Sequence, residues 1–283
     1  MRHARPYLYL VPAAILLCFV VLYPLAGTFW LSLHRSIVIF HDERFIGLDN
    51  YRFLLHDARF FAALGHTLTF TVVAVGAELL LGLCFALLMS LSRAKPRGFS
   101  RGRGLLRAAV LVPWAIPTVV SARLWAHLFD PQIGLVRDWL SNPSRALFAA
   151  IVADVWKTTP FVALILLAGL QTIPRDVYRA AQVDGAGALR TFWSVTLPLL
   201  RPALAVAAAF RALDALRVFD AIYVLTGGGP ANATETLSIY AYKMLMRSGD
   251  FGYGSMIALA TFCCVALLAA GYVRLVLPKE LLR

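Results

Sequence analysis

The chain has 283 residues, 60% of them hydrophobic and 15% charged, with a mean hydropathy of +0.73. This excludes an ordinary soluble domain, whose apolar share is about 45–50%. Lys and Arg number 27 against 15 Asp and Glu, a formal charge of +12, and the position of that excess decides what it means.

A helix crossing the hydrocarbon core needs about 20 predominantly apolar residues. Six stretches qualify, at residues 7–33, 64–92, 106–129, 147–171, 203–225 and 253–277. They predict an all-α, polytopic membrane protein with six transmembrane helices in a single domain, 1–283. With the N-terminus inside, the inner segments hold fifteen Lys and Arg, including Arg2, Arg5, Arg93, Lys95, Arg97, Lys279 and Arg283, against Asp176, Asp184 and Glu280. The outer segments hold eight of each sign, and the charges within the spans cancel four against four. The whole excess lies on one side, which places both termini in the cytoplasm. A pI near 10.0 is thereby explained without a nucleic-acid partner.

The first span, kinked by Pro12 and Pro24, is too long for a signal peptide and reads as an uncleaved anchor. Residues 34–64 form an outer loop with a glycine turn flanked by aromatics, Phe45 to Tyr51. The second span carries Glu78 and leaves through RAKPRGFSRGRGLLR, six bases without an acid, a topology anchor toward anionic lipid headgroups. In the third, Pro113 and Pro117 free backbone carbonyls, which is tolerated beside protein or a water-filled path. There Trp114 and Thr118 share a face at i, i+4, and an indole beside a hydroxyl suits a sugar. The fourth holds Asp154 and Lys157, able to neutralise one another, with Thr158 and Phe161 beside Lys157. An ionisable residue in a span costs about 2.5–3.5 kcal/mol on insertion scales and marks a candidate site.

Residues 172–202 are an elbow of two short helices broken at glycine. Asp176 is positioned to cap the first. Ala180, Ala181, Gly185 and Ala186 offer a close-approach surface, and Leu189, Phe192, Trp193, Thr196 and Leu197 line one face of the second. Pro198 and Pro202 are expected to end it. The fifth span then carries Arg211, Asp214, Arg217 and Asp220, three apart with alternating sign, each able to pair with the next. Cys18, Cys84, Cys263 and Cys264 fall in spans without metal-ligand spacing and read as buried apolar thiols. GxxxxGK[ST], HExxH and GxSxG are absent from the sequence, so neither nucleotide binding nor hydrolytic catalysis is expected of this chain.

The run Arg179-Ala180-Ala181, Asp184-Gly185-Ala186, Phe192 and Leu197-Pro198 resembles the cytoplasmic "EAA" loop of bacterial ABC importer permeases. FIGLDNY at 45–51 and TGGGP followed by TETL at 226–237 resemble two outer segments of sugar permeases in that family. Residues 154–160 and 179–186 look like the trehalose-type permease of actinobacteria. The resemblance implies the type I importer permease fold, with a coupling helix that docks on an ATPase. It implies a second homologous permease subunit, an ATPase dimer holding ATP and Mg, and an extracytoplasmic sugar-binding protein or lipoprotein as partners, in the bacterial plasma membrane. It further implies that Trp114, Thr118, Lys157, Thr158, Phe161, Arg211, Asp214 and Val218 face a disaccharide such as trehalose or maltose. One departure stands out: the family's glutamate is Arg179 here, so the partner surface is expected to carry a complementary acid. The alternatives are import of glycerol phosphate or another oligosaccharide and, from a different class, an ion-coupled carrier relaying through Glu78, Asp154 and Asp214.

Overall fold

The computed structural model describes residues 9–91 and 100–276. The inner-side residues Arg2, Arg5, Arg93, Lys95, Arg97, Lys279, Glu280 and Arg283 lie outside them. Among the described residues five helices are long and apolar enough to cross a membrane, or six when one bent pair counts as a single span. The chain divides into two compact units: residues up to Ala63 with Leu237–Cys263, and Leu64–Thr236 with those from Cys264 onward.

In the first unit, helix α1 spans Val11–Ser32, and none of its most apolar stretch is buried. An antiparallel hairpin follows, β1 His34–Ile37 and β2 Asp42–Phe45, with His34 opposite Phe45 and Ile37 opposite Asp42. The outer segment is therefore not a plain loop but a short hairpin and a helix within an otherwise helical fold. It continues as helix α2, Asp49–His56. The Asn50 amide donates to the Ser32 and His34 carbonyls at 2.8 and 3.0 Å, and the Tyr51 hydroxyl meets Ser32 Oγ at 2.9 Å. These bonds pin α2 to the end of α1.

Helix α3 begins at Ala58, earlier than the sequence suggests, and runs to Leu91. Just before it, the Asp57 carboxylate accepts from the Tyr240 and Tyr253 hydroxyls, with Tyr240 at 2.6 Å, and from the Arg59 N–H at 2.9 Å. Burial pushes this carboxyl up, but those donors together outweigh it and hold Asp57 below the usual carboxylate range.

The second unit is built on α3, α6 (Pro143–Thr172) and the long helix α8 (Ala188–Ala215). Its core is Met89, Val162, Leu166, Leu167, Leu170 and Leu200 with small residues between them. The helices approach closely at two glycines. A Cβ on Gly82 would lie 2.6 Å from Val162 Cγ1, and one on Gly169 2.5 Å from the Ala203 Cβ. Small residues at such crossings let backbones pack where lipid supplies no hydrophobic drive.

Three expectations are corrected in this unit. The third span is no straight helix: α4, Ser100–Ala115, and α5, Thr118–Leu128, flank a break, with a 99° bend between them. Pro117 excludes Ile116 from helical conformation, which breaks the rod there. Pro198 and Pro202, by contrast, do not end a helix. The backbone widens to π geometry over Phe192–Thr196, just as it does over Cys18–Leu22 before Pro24, and the wider turn absorbs the missing donor and the ring. The second elbow helix is thus the lower part of the fifth span. That span stops at Ala215, and α9, Asp220–Leu225, is a separate helix. The first elbow helix, α7, is Arg175–Val183. After α9 come α10, Leu237–Tyr242, and the last span α11, Phe251–Val276.

The cysteines are not buried. Cys18, Cys84 and Cys263 are exposed and Cys264 is half-buried, because a membrane helix turns apolar thiols toward lipid as readily as inward.

Candidate functional site

Apolar helices leave an ionised side chain no water, so each one must find its partner within the protein. In the second unit that demand assembles one network. Glu78 of α3 is wholly buried, Arg211 of α8 is 3% exposed, and Asp154 of α6 is buried beside them. Arg211 forks onto Glu78, with Nη2 to Oε1 at 2.8 Å and Nε on Oε2. Nη2 also reaches Asp154 Oδ2 at 2.9 Å, and Nη1 reaches Asp214 Oδ2 at 2.6 Å. The Thr158 hydroxyl lies 2.7 Å from both Glu78 Oε1 and the Asp154 carbonyl oxygen. One guanidinium therefore ties three helices through three carboxylates. No buried side-chain polar atom is left unsatisfied among the described residues.

This arrangement revises the charge pairing expected along the helices. Asp154 pairs with Arg211, a helix away, and not with Lys157. The alternating ladder holds from Arg211 through Asp214 to Arg217, the last contact a looser 3.5 Å. It stops there because α8 ends at Ala215 and Asp220 starts a new helix.

Beside the network opens a cavity of about 490 Å³, lined by Trp114, Thr118, Lys157, Thr158, Phe161, Phe210, Arg211, Asp214, Arg217, Val218, Phe219 and Asp220 among others. All eight residues singled out for the path line this one space. Trp114 and Thr118 reach it from opposite sides of the bend, not from one helical face. The rings of Trp114 and Phe161 stack at 6.0 Å and 21°, and Phe210 closes edge-on to Phe161 at 6.4 Å.

Within that wall the eight play different parts. Arg211 is sealed behind its carboxylates, whereas the Asp214 side chain is 56% exposed and lines the cavity, its second oxygen held only by the looser contact to Arg217. The Phe210 and Phe219 rings are not among the candidates the sequence offers, and Glu78, which the sequence offers only as a relay group of an ion-coupled carrier, is the counter-ion of Arg211. Glu78 carried the usable signal, since a carboxylate deep in an apolar helix requires a cation. No group of three His, Cys, Asp or Glu side chains suited to a metal occurs among the described residues.

The elbow forms a second candidate region. Helix α7 starts after Pro174, which serves as N-cap without any side-chain bond, so Asp176 does not cap it. Asp176 lies instead in the first turn, favourable to the helix dipole, and meets Arg179 at 2.9 Å with both side chains exposed. Arg179 thus has an acid on its own helix.

The C-terminus of α7 is a Schellman motif: the Ala186 N–H donates to the Ala181 carbonyl at 2.9 Å and the Gly185 N–H to Gln182 at 3.1 Å. Gly185 takes φ +72°, the left-handed cap position where glycine is unstrained. Ala180, Asp184 and Gly185 are exposed, Ala186, Phe192, Leu197 and Pro198 half-buried, and Ala181 faces inward. Ala181 therefore belongs to the packing of the elbow and not to its outer surface. Val183, Leu189 and Trp193 add large exposed apolar area beside Gly185.

The family model described as binding-protein-dependent transport system inner membrane component matches residues 79–279. The trehalose/maltose transport system permease protein MalF of Thermococcus litoralis is 44% identical over 95% of this chain and 92% of its own length. The trehalose transport system permease protein SugA of Mycobacterium tuberculosis is 42% identical over 95% and 87%. The sulfoquinovosyl glycerol transport system permease protein SmoG of Agrobacterium fabrum is 38% identical over 96% and 90%. Among solved structures, a chain of a bacterial alginate ABC transporter in complex with a pentasaccharide-bound periplasmic protein superposes with a TM-score of 0.77. It is 22% identical, covering 96% of this chain and 94% of that one, and it shows the fold.

Proposed function

The chain belongs to the family of binding-protein-dependent transport system inner membrane components, and from that premise we propose that it forms half of the path of an ATP-driven importer for a neutral disaccharide of the trehalose or maltose class. The observation that carries this reading is the cavity. Its aromatic wall of Trp114, Phe161 and Phe210 suits the C–H faces of a sugar ring, while Thr118, Asp214 and Lys157 supply hydrogen-bonding groups for hydroxyls. Its basic groups Lys157, Arg211 and Arg217 are matched by Asp154, Asp214 and Asp220, so the wall favours a ligand without net charge. The named activities of the relatives at 44% and 42% identity agree with this class.

In this mechanism the elbow at 172–202 rests on a separate ATPase dimer, which binds ATP and Mg. Closure of that dimer moves α7 and the base of α8, and the cavity opens to the side where an extracytoplasmic binding protein delivers sugar. Hydrolysis returns it. A second homologous permease supplies the other wall, and both termini of this chain lie in the cytoplasm. Shape at Ala180, Gly185 and Trp193 carries the docking, since Arg179 is already paired with Asp176. A proton relay through Glu78 and Asp154 is disfavoured because both are bound to one buried arginine.

The test is reconstitution of the co-purified complex with its binding protein, measuring ATPase stimulation across trehalose, maltose, a glycerol phosphate and a sulfonated glycoside. Stimulation by a neutral disaccharide is expected. Stimulation by the anionic ligands alone overturns the substrate class, and uptake driven by a proton gradient without ATP overturns the importer reading.

A further inference from the structure

The tip of the β1–β2 hairpin carries three successive apolar residues with no polar side chain among them. Val38, Ile39 and Phe40 are 55%, 63% and 75% exposed. A run of three or more exposed apolar residues is an error in a soluble surface unless something covers it. The hairpin stays close to the mouth of α11, because β1 is tied to it at both ends. At the base, a Cβ on Gly252 would lie 2.1 Å from the His34 carbonyl oxygen. Toward the tip, Ile37 bridges to Asp250 and the Val38 N–H donates to the Gly249 carbonyl at 3.0 Å. Four residues of chain, spanning at most about 14 Å, thus hold the whole strand.

The hairpin also starts two residues beyond the end of α1, whose last turns expose Phe29 and Trp30. Its level is therefore set by the ends of two membrane-crossing helices. Within the hairpin, Arg35 and Arg44 both contact Asp42, at 3.1 and 2.7 Å. With Glu43 added, the formal charge of 34–45 is zero, histidines taken as neutral.

We propose that the Val38–Phe40 tip is an interfacial membrane anchor, seated among lipid headgroups and upper acyl chains beside Phe29 and Trp30. Aromatic and aliphatic side chains at the boundary of a span partition into that zone. The tip is apolar throughout and belongs to a hairpin held at the ends of two spans, so lipid is the occupant its position favours. Since the hairpin's charges cancel, its hold is apolar and independent of anionic lipid. The anchor fixes the α1–α2 junction at the membrane surface through Asn50 and Tyr51, the residues that pin α2 to α1 and β1.

The experiment places p-benzoylphenylalanine at position 40, and separately at the polar control Glu43, in the full chain within its complex in nanodiscs of zwitterionic lipid. After irradiation, position 40 is expected to yield phospholipid adducts at least tenfold above position 43, unchanged when anionic lipid or salt is added. Equal lipid labelling at the two positions overturns the proposal. So does labelling at position 40 that goes to protein once the extracytoplasmic binding protein is added, which would make the tip a docking surface. A Phe40→Cys spin label provides an independent reading: greater collision with oxygen than with a water-soluble nickel chelate is expected, and the reverse order rejects the anchor.

Discussion

Replacing Arg211 by leucine removes the only cation among the described residues in contact with two buried carboxylates. Glu78 and Asp154 would then sit side by side in an apolar setting, with Thr158 as the remaining donor to Glu78. Breaking a buried ion pair by deleting one partner costs about 3–5 kcal/mol, because the survivor is left uncompensated. At about 2–4 °C per kcal/mol for a chain of this size, the melting temperature should fall by about 6–20 °C. The informative control is Glu78→Leu, Asp154→Leu and Arg211→Leu together. Replacing a whole buried ionic group by apolar side chains is often neutral or stabilising, so this triple variant should recover most of the loss. Thermal unfolding of the purified chain in one detergent, followed by size-exclusion retention, reads all three proteins. A single variant melting within about 2 °C of the parent would refute the clamp, and so would a triple variant no better than the single.

Three further outcomes test other parts of the molecule. Asp214→Asn should cost less than about 1 kcal/mol in stability, since the side chain is half-exposed and screened. The same change should raise the uptake KM about tenfold through one lost charge-assisted hydrogen bond, and an unchanged KM removes Asp214 from the ligand. Gly185→Val forces a β-branched residue to φ +72° at about 1–3 kcal/mol of local strain. The protein should still insert while sugar-stimulated ATPase falls severalfold, and normal coupling would reject docking at this cap. At Asp57 the donors depress the folded-state pKa, so its stabilisation is present above the unfolded value of about 3.9 and is lost as pH falls through the lower folded value. The melting difference between the parent and Asp57→Asn should stay level from about pH 7 to 5 and shrink only below about pH 4. A difference that vanishes between pH 7 and 6 would assign the effect to another group.

What could be read from the chain divides along physical lines. Long apolar runs are governed by the thickness of a bilayer, so the spans and the glycine break of the elbow were legible from composition alone. The break at Pro117 and the passage through Pro198 were not, because both involve a proline and the outcome depends on the neighbouring backbone. At Ile116 the chain had room to turn by 99°, whereas before Pro198 a π turn absorbed the ring. Spacing along one helix suggested that Asp154 would meet Lys157, but a buried carboxylate binds the cation that packing brings to it. That cation came from α8, and no pattern within α6 encodes it. The outer hairpin leaves no readable pattern in the sequence, since its strands are four residues long and contain charges, too short for an alternation to stand out. The cavity residues were reached through the family resemblance, whereas Phe210 and Phe219 are ordinary apolar residues until the fold turns them inward.

The continuity of α8 through its two prolines has a mechanical consequence. From Ala188 beside the elbow to Arg211 at the cavity the rod is unbroken, and at about 1.5 Å per residue it is about 35 Å long. A tilt of about 5° about its lower end carries Arg211 sideways by about 3 Å, comparable to a hydrogen-bond length. Because Arg211 grips Glu78 and Asp154, that displacement cannot be absorbed locally: it either drags α3 and α6 along or tears the ion pairs. In the coupling proposed above, the helix is a pushrod with its clamp at the far end, and the stiffness of that clamp would set how much of a push at the elbow reaches the cavity.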